Sequence, residues 1–470
     1  MIRKTNREGI APYLRDASNY SGGNAEEVLI PENVDELISA LKNDLRPVTI
    51  SGAGTGLTAS RIPSEGIVIS LEQFNKLEIV ENGEIWLEPA VTLLNLQEHL
   101  KNTNWFYPPN PTETNASIGG TLATNASGSR SYKFGVTRNF VNAVDFILAD
   151  GRRVLVKRGQ KITDPLRMDD GSVIVFPEVK YASPSCKNAA GYFVQPGMDW
   201  LDLFIGSDGT LGIFINICLK LLPRPDAFLS GVLFFEKEKF CWDLVSKIKT
   251  TTLISPCSLE YFDRFSLELL REKYPNIPLQ AEAALFFEED VADQNDYDAK
   301  LEVWIEFLMD KNILMDESWF AHDQNDVRAF HEFRHQIPML VNEKNSRAGR
   351  EKIGTDMAVP DKFFDDMMAF YEKTLFGKGL PYVIFGHLGD NHLHINLLPD
   401  SSQQKLAESL YDAIAKKIIS WKGTVSAEHG IGKKKKKYFH EMVGEKSIED
   451  LKKIKNILDP QVRLGNGNIL

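Results

Sequence analysis

Tyr107–Gly135 reads YPPNPTETNASIGGTLATNASGSRSYKFG. Pro108, Pro109 and Pro111 stiffen its entry, because each proline ring fixes φ. Ser117-Ile-Gly-Gly120 and Asn125-Ala-Ser-Gly128 then read as two turns in a long irregular loop. Loops of this length in compact domains are usually functional. Gly, Ser, Thr and Asn present backbone N–H groups and short hydroxyls, which suit an anionic ligand held by main chain. The stretch is expected to be the bed of a large phosphate-bearing cofactor.

Outward from it, the apolar strand Pro47-Val-Thr-Ile50 runs into Ser51-Gly-Ala-Gly-Thr-Gly56. A Rossmann site, with Glu72 on the ribose, fails on mechanism. That fold needs a helix to start at the glycines so that its dipole meets the pyrophosphate. Here LTASRIPSEG follows, with Pro63 and Gly66 against a helix, and Leu57 stands where the third glycine belongs. What is left is a tight glycine loop that can share one diphosphate with the Ser117–Gly128 turns.

The other elements fill in around these loops. VLIPENVDELISALKNDL predicts a strand and then a helix, with Val34, Leu37, Ile38, Leu41 and Leu45 on one stripe. Strands at 77–80 and 84–87 flank the hairpin signal Asn82-Gly83. A helix is expected over 93–100 and strands over 143–148 and after Gly212. Pro223-Arg-Pro225 is the best boundary. Beyond it, strands (228–235, 282–287) alternate with amphipathic helices (240–249, 301–309), which fits an α+β domain on an antiparallel sheet. A histidine-bearing strand region (384–399) and a helix (403–421) complete it.

Composition sets bounds: 470 residues, 43% hydrophobic and 25% charged, suit two or three domains with real cores. The formal net charge of −11 argues against nucleic-acid binding. Four cysteines without a CxxC pair argue against iron–sulfur and Cys-type zinc sites and for a cytoplasmic setting, with a membrane-peripheral location as a variant. MIRKTNREGIAPYLRD has no apolar core, so no signal peptide is expected. The five lysines of Lys433–Lys437 predict a solvated face, with a docking patch for an acidic partner as the alternative.

Five of the nine histidines fall between His387 and His440. In Gly386-His-Leu-Gly-Asp-Asn-His-Leu-His394, His392 and His394 share one face of a strand, and Gly389-Asp390 can turn His387 back toward them. Glu428-His429 follows in the glycine-flanked AEHGIG. Two imidazoles and a carboxylate with an open position make a catalytic divalent-metal site. A rival is the formal HExxH of His331-Glu-Phe-Arg-His335, with Glu332 as base of a metalloprotease. Arg334 beside the metal, the lack of a downstream GxxH and a helix cut at Pro338 count against it.

IPENVDEL, PVTISGAGTGL, PPNPTETNASIGGTLATNASG, GSDGTLGIF, GHLGDNHLH and AEHGIG occur together and in this order. The set resembles the FAD-dependent D-2-hydroxy-acid dehydrogenases of the vanillyl-alcohol oxidase superfamily, across almost the whole chain. The resemblance implies an α+β fold: a two-subdomain PCMH-type FAD-binding domain over 1–224, a substrate (cap) domain on an antiparallel sheet over 225–421, and a C-terminal segment, 422–470, returning to the flavin domain. It assigns the cofactor to Gly52, Ala53, Gly54, Thr55, Gly56, Ser117, Ile118, Gly119, Gly120, Asn125, Gly128, Gly212 and Ile213. No His or Cys lies in the two loops, so the FAD is expected to be dissociable. The family often has Arg where Ser51 stands.

The same resemblance makes His387, His394 and Glu428 ligands of a divalent metal, Zn2+ with Mn2+ or Fe2+ as alternatives, and His429 the base. Asn391-His392 replaces the usual Gly-Asn, which makes His392 a candidate extra ligand or substrate contact. Arg334 is the grip on a substrate carboxylate, with Lys352 and Asn396 as further candidates. The implied activity is oxidation of a D-2-hydroxy acid (D-lactate, glycolate or D-2-hydroxyglutarate) to the 2-oxo acid, with a protein or quinone accepting the electrons. A catalytically inactive FAD-binding subunit is the alternative. A homodimer is the candidate assembly.

Overall fold

The computed structural model describes residues 1–470. Its first sheet puts Glu27–Ile30 and Val48–Ser51 parallel to the central strand Ile67–Ser70, with Ile2–Lys4 antiparallel on the edge. Such a parallel core needs strands that are apolar on both faces, and Ile67–Ser70 is buried throughout. The crossover is the helix Val34–Asn43, whose start is fixed by Asn33 accepting from Glu36 N. Leu37 and Leu41 bury its inner stripe against that sheet.

The second sheet is antiparallel, in the order Glu84–Leu87, Ile213–Lys220, Val141–Ile147, Arg153–Lys157. Asn82 and Gly83 turn the chain at φ 52 and 77, as a primed hairpin turn requires. The strand expected over 77–80 reduces to isolated bridges, Leu77 to Leu87 and Glu81 to Glu84. Ile79, 81% exposed, has no layer to pack against.

The third sheet is antiparallel. Its order is Trp319–Phe320, Ala227–Phe235, Ala283–Val291, Ser258–Phe262, Tyr382–His387, His392–Leu397, Ile353–Gly354, with Met357–Ala358 also on His392–Leu397. Alternation splits its side chains between two cores. Leu233, Phe235, Leu285 and Phe287 face one set of helices, and Val232, Phe234, Ala284 and Phe286 face the other. From the C-terminal segment, Val425, Ile431, Phe439, Leu451, Leu458 and Ile469 join the core built on residues 85–221.

Three further expectations need correction. Tyr107–Gly135 is not loop throughout: Ile118–Thr124 is a helix, capped by Ser117 and closed by Asn125 at φ 49, and Ser131–Phe134 is a second short one. Two glycines hid the first helix, because glycine is a poor helix former. Burial of Ile118, Thr121 and Leu122 overrides that propensity. The helix expected to stop at Pro338 runs unbroken over Gln324–Arg347. A mid-helix proline costs about 3 kcal/mol. Burying Phe333, Ile337, Leu340 and Val341 contributes more, at roughly 1.5–3 kcal/mol per side chain.

The lysine run is not a free solvated face either. Lys433 donates to Asn468 Oδ1 at 2.8 Å, Lys434 to Ser18 O at 3.0 Å, and Lys436 to Leu470 O. Lys435 is buried on Asp356, its Nζ 2.5 Å from Oδ2. Lys434 and Lys437 are exposed, Lys437 paired with Asp412, so the run is solvated in part only.

Candidate active site

One continuous cleft of about 2050 Å³ runs from the glycine loops to the histidine cluster. At the glycine end it is lined by Gly52, Ala53, Gly54, Thr55, Gly56, Ser117, Gly119, Gly120, Gly128, Gly212 and Ile213. Several of these glycines are there because backbones touch. A Cβ on Gly119 would lie 2.6 Å from Pro89 Cβ, and one on Gly128 would strike the Asn110 carbonyl. A Cβ on Gly56 would meet only Asp16 Oδ2, at 3.9 Å, so that part of the loop is open. An extended ligand carrying a diphosphate fits this end: glycine backbone, hydroxyls and little bulk. Two expected contacts do not reach the cleft. Ile118 is buried in the core. The side-chain amide of Asn125 is occupied by Arg138 N at 3.0 Å and Asn188 O at 3.5 Å.

The other end is built of side chains. His387 ends one strand of the third sheet and His394 lies on the next, joined through the turn Leu388–Asp390 and the left-handed Asn391. Glu428 comes from the segment after the last strand and splits its carboxylate. Its Oε2 accepts from Ser127 Oγ at 2.8 Å and lies 3.5 Å from Lys187 Nζ. Its Oε1 faces His387 Nε2 at 3.4 Å, His394 Nε2 at 3.3 Å and His429 Nε2 at 3.7 Å. Donor atoms of His387, His392, His394 and Glu428 all lie within 4.8 Å of one another, spacing that can close on one divalent cation. His392 is fully buried with its Nε2 2.8 Å from Asp356 Oδ1, off the line of a hydrogen bond, and it does not reach the cleft.

Charge is dense here and mutually compensating. Burial opposes ionisation of Glu428, yet Lys187 and His387 hold its carboxyl well below the usual range. Burial likewise works against a charged His387, but Glu260, whose Oε1 is 2.6 Å from Nδ1, raises it to about 9. That proton and a bound cation compete for the same imidazole. His429 behaves in the opposite way: burial, helped by Lys435, lowers it to about 4 although Asp356 pulls upward. Its backbone N–H donates to Asp356 Oδ2 at 3.0 Å and its Nδ1 lies 3.3 Å from the same oxygen, which leaves Nε2 toward the cleft.

Arg334 lines the cleft from the helix Gln324–Arg347, its Nε 3.1 Å from Glu260 Oε2. Asn396 and Lys352 line it too, and Lys352 forms no ion pair. The HExxH histidines do not converge. His331 Nε2 lies 2.8 Å from Glu288 and His335 Nε2 lies 2.6 Å from Arg334 Nη1, so each already has a protein partner outside any metal-capable cluster.

Residue patterns did not single out Glu260, Asp356, Lys187 or Ser127. Glu260 carried one signal, the lone charged residue in the fully buried strand Ser258–Phe262. It lies directly opposite His387 in the sheet register. Asp356 and Lys187 carried none.

A cleft that joins a glycine-lined bed to a histidine–carboxylate cluster across two sheet systems is the architecture of a flavin-dependent oxidoreductase. The chain belongs to the FAD linked oxidases: residues 224–469 match that family's C-terminal domain and residues 25–157 an FAD binding domain. It is 28% identical to glycolate oxidase subunit GlcD of Bacillus subtilis, over 97% of this chain and 91% of that protein. It is 25% identical to D-lactate dehydrogenase of Archaeoglobus fulgidus, over 94% and 91%. For the mitochondrial D-2-hydroxyglutarate dehydrogenase of Danio rerio the figures are 23%, 93% and 77%. Among solved structures, p-cresol methylhydroxylase superposes with a TM-score of 0.72 at 12% identity, covering 99% of this chain and 93% of that one, which places the chain in the PCMH-type fold. The protein is an FAD-dependent oxidoreductase of the D-lactate, glycolate and D-2-hydroxyglutarate dehydrogenase type. No helix is long and apolar enough to cross a membrane.

Proposed function

We propose that the protein oxidises a D-2-hydroxy acid to the 2-oxo acid, with His429 as base. The observation that carries this is that His429, at the histidine–carboxylate end, shares one cleft with the glycine loops. FAD, when bound, supplies a hydride acceptor at N5. His387, His394 and Glu428 would hold a divalent cation, which would supply Lewis acidity toward a substrate oxygen.

Arg334 binds the substrate carboxylate; a guanidinium suits this because it offers paired donors in a plane. Glu260 fixes Arg334 through Nε and so aims it. Asn396 and Lys352 line the same wall. His429, neutral across the physiological range, takes the hydroxyl proton on Nε2 while Asp356 holds the other side of the ring. Loss of that proton makes the C2 hydrogen a better hydride donor. The proposed electron acceptor is an external protein or quinone, because the four free cysteines form no cluster that would hold an iron–sulfur centre.

The test is an anaerobic titration of the FAD-loaded, metal-assayed protein with D-lactate, glycolate and D-2-hydroxyglutarate. Bleaching of the flavin by one of them is expected and names the substrate class. A flavin that stays oxidised with all three, yet is reduced by dithionite, would leave an FAD-binding subunit without this activity.

A further inference from the structure

The glycine end of the cleft holds one guanidinium that forms no ion pair and keeps a buried N–H unmet. Arg61 lines the cleft beside the Gly52–Gly56 loop, and its guanidinium lies so close over Gly54 that a Cβ there would collide with Nη1. Gly54 is in the left-handed region at φ 81, so side chains are disfavoured at that position on both counts. Nη2 donates to Pro12 O at 3.2 Å; Nε is buried without a partner. The residues around it hold the side chain in place. Tyr13 places its ring 5.8 Å from Cζ, and Ala17 N donates to Gly54 O at 3.1 Å, tying the N-terminal arm to the loop.

The nearby acids do not neutralise Arg61. Glu72 accepts from Tyr13 Oη at 2.8 Å and Ser70 Oγ at 2.9 Å. Asp16 accepts from Ser18 N at 3.0 Å on Oδ1, while its Oδ2 is buried and unpartnered. The other cations at this end also meet neutral oxygens, Lys433 at Asn468 Oδ1 and Lys434 at Ser18 O, but neither leaves a buried N–H unmet. Ser51, immediately before the loop, brings no charge. Arg61 is half-buried, and its buried Nε–H is costly to leave unmet unless an anion completes the guanidinium.

We propose that Arg61 binds the diphosphate of the cofactor, a side-chain cation set over a cradle made mainly of backbone. This rests on FAD being the cofactor. A guanidinium offers paired donors to phosphate oxygens, and its contact is strengthened by the low local dielectric.

The experiment measures Kd for FAD, ADP and riboflavin on the apoprotein, for wild type, Arg61→Met and Arg61→Lys, at low and high salt. ADP carries the diphosphate without the flavin, and riboflavin the flavin without phosphate. Arg61→Met is expected to weaken FAD and ADP by about tenfold to hundredfold, leave riboflavin unchanged and flatten the salt dependence. Arg61→Lys should recover part of the loss. Unchanged ADP and FAD affinities would overturn the proposal. So would a parallel fall in riboflavin binding with a lower melting temperature of the apoprotein, which would make Arg61 a bracket for the arm. Wild type that takes up neither FAD nor ADP would sink the cofactor assignment itself, a result distinct from either.

Discussion

The two ends of the cleft solve opposite problems. The glycine end offers a ligand mainly main chain: packed turns, a short capped helix and one guanidinium without an ion pair. The histidine end meets it with side chains, and nearly every ionisable group there is held by another. Glu428 answers to Lys187 and Ser127, His387 to Glu260, and His429 to Asp356. Backbone recognition tolerates many side chains but few changes of shape. Side-chain recognition tolerates small shifts of backbone but not the loss of one charge, because a buried partner is then left uncompensated.

Three substitutions probe that contrast, in order of effect. His429→Ala should slow flavin reduction by about 100- to 10,000-fold while the protein stays yellow, as measured by stopped-flow absorbance. An unchanged rate would remove His429 as base. Lys187→Met should weaken divalent-metal binding by roughly tenfold to hundredfold, read as metal content and as Kd of the apoprotein, with FAD binding intact. The reason is geometric: Lys187 and Ser127 hold Oε2 so that Oε1 faces the histidines. Metal binding equal to wild type would show that Ser127 alone suffices. Gly119→Ala tests the backbone end. Alanine would gain about 1 kcal/mol of helix propensity. The new Cβ would meet Pro89 Cβ at 2.6 Å and Pro89 O at 3.0 Å, atoms of a rigid ring and a backbone. Overpacking of about 1–3 kcal/mol should win, lowering the melting temperature and loosening FAD while metal content holds. A more stable variant would show that the two segments can move apart.

The contrast also explains what could be read in advance. Gly52–Gly56 and Ser117–Gly128 are contiguous, so their glycines and hydroxyls announce a backbone cradle even where the helix Ile118–Thr124 went unseen. Helix stripes such as Leu37 and Leu41, and the hairpin at Asn82-Gly83, are local signals and were legible for the same reason. Pro338 misled because a local rule was outweighed by the burial of Phe333, Ile337 and Leu340. Lys435 misled because a run of lysines says nothing about the acid, Asp356, that lies far away in sequence.

By itself, the amino-acid sequence determined the class of fold, the two loops and the histidine and glutamate residues from which a metal site can be drawn. The loops and the histidine cluster depend on chemistry carried by neighbouring residues, and the fold and ligand assignment on the resemblance that the ordered motifs carry. Only the tertiary structure decided which charges meet. Glu260 reaches His387 and Arg334 through sheet register, and Lys187 reaches Glu428 through the packing of the C-terminal segment. It also placed Arg61 over Gly54 with no ion pair. Coulomb and hydrogen-bond energies fall off over a few ångströms, and no spacing along the chain fixes distances of that kind.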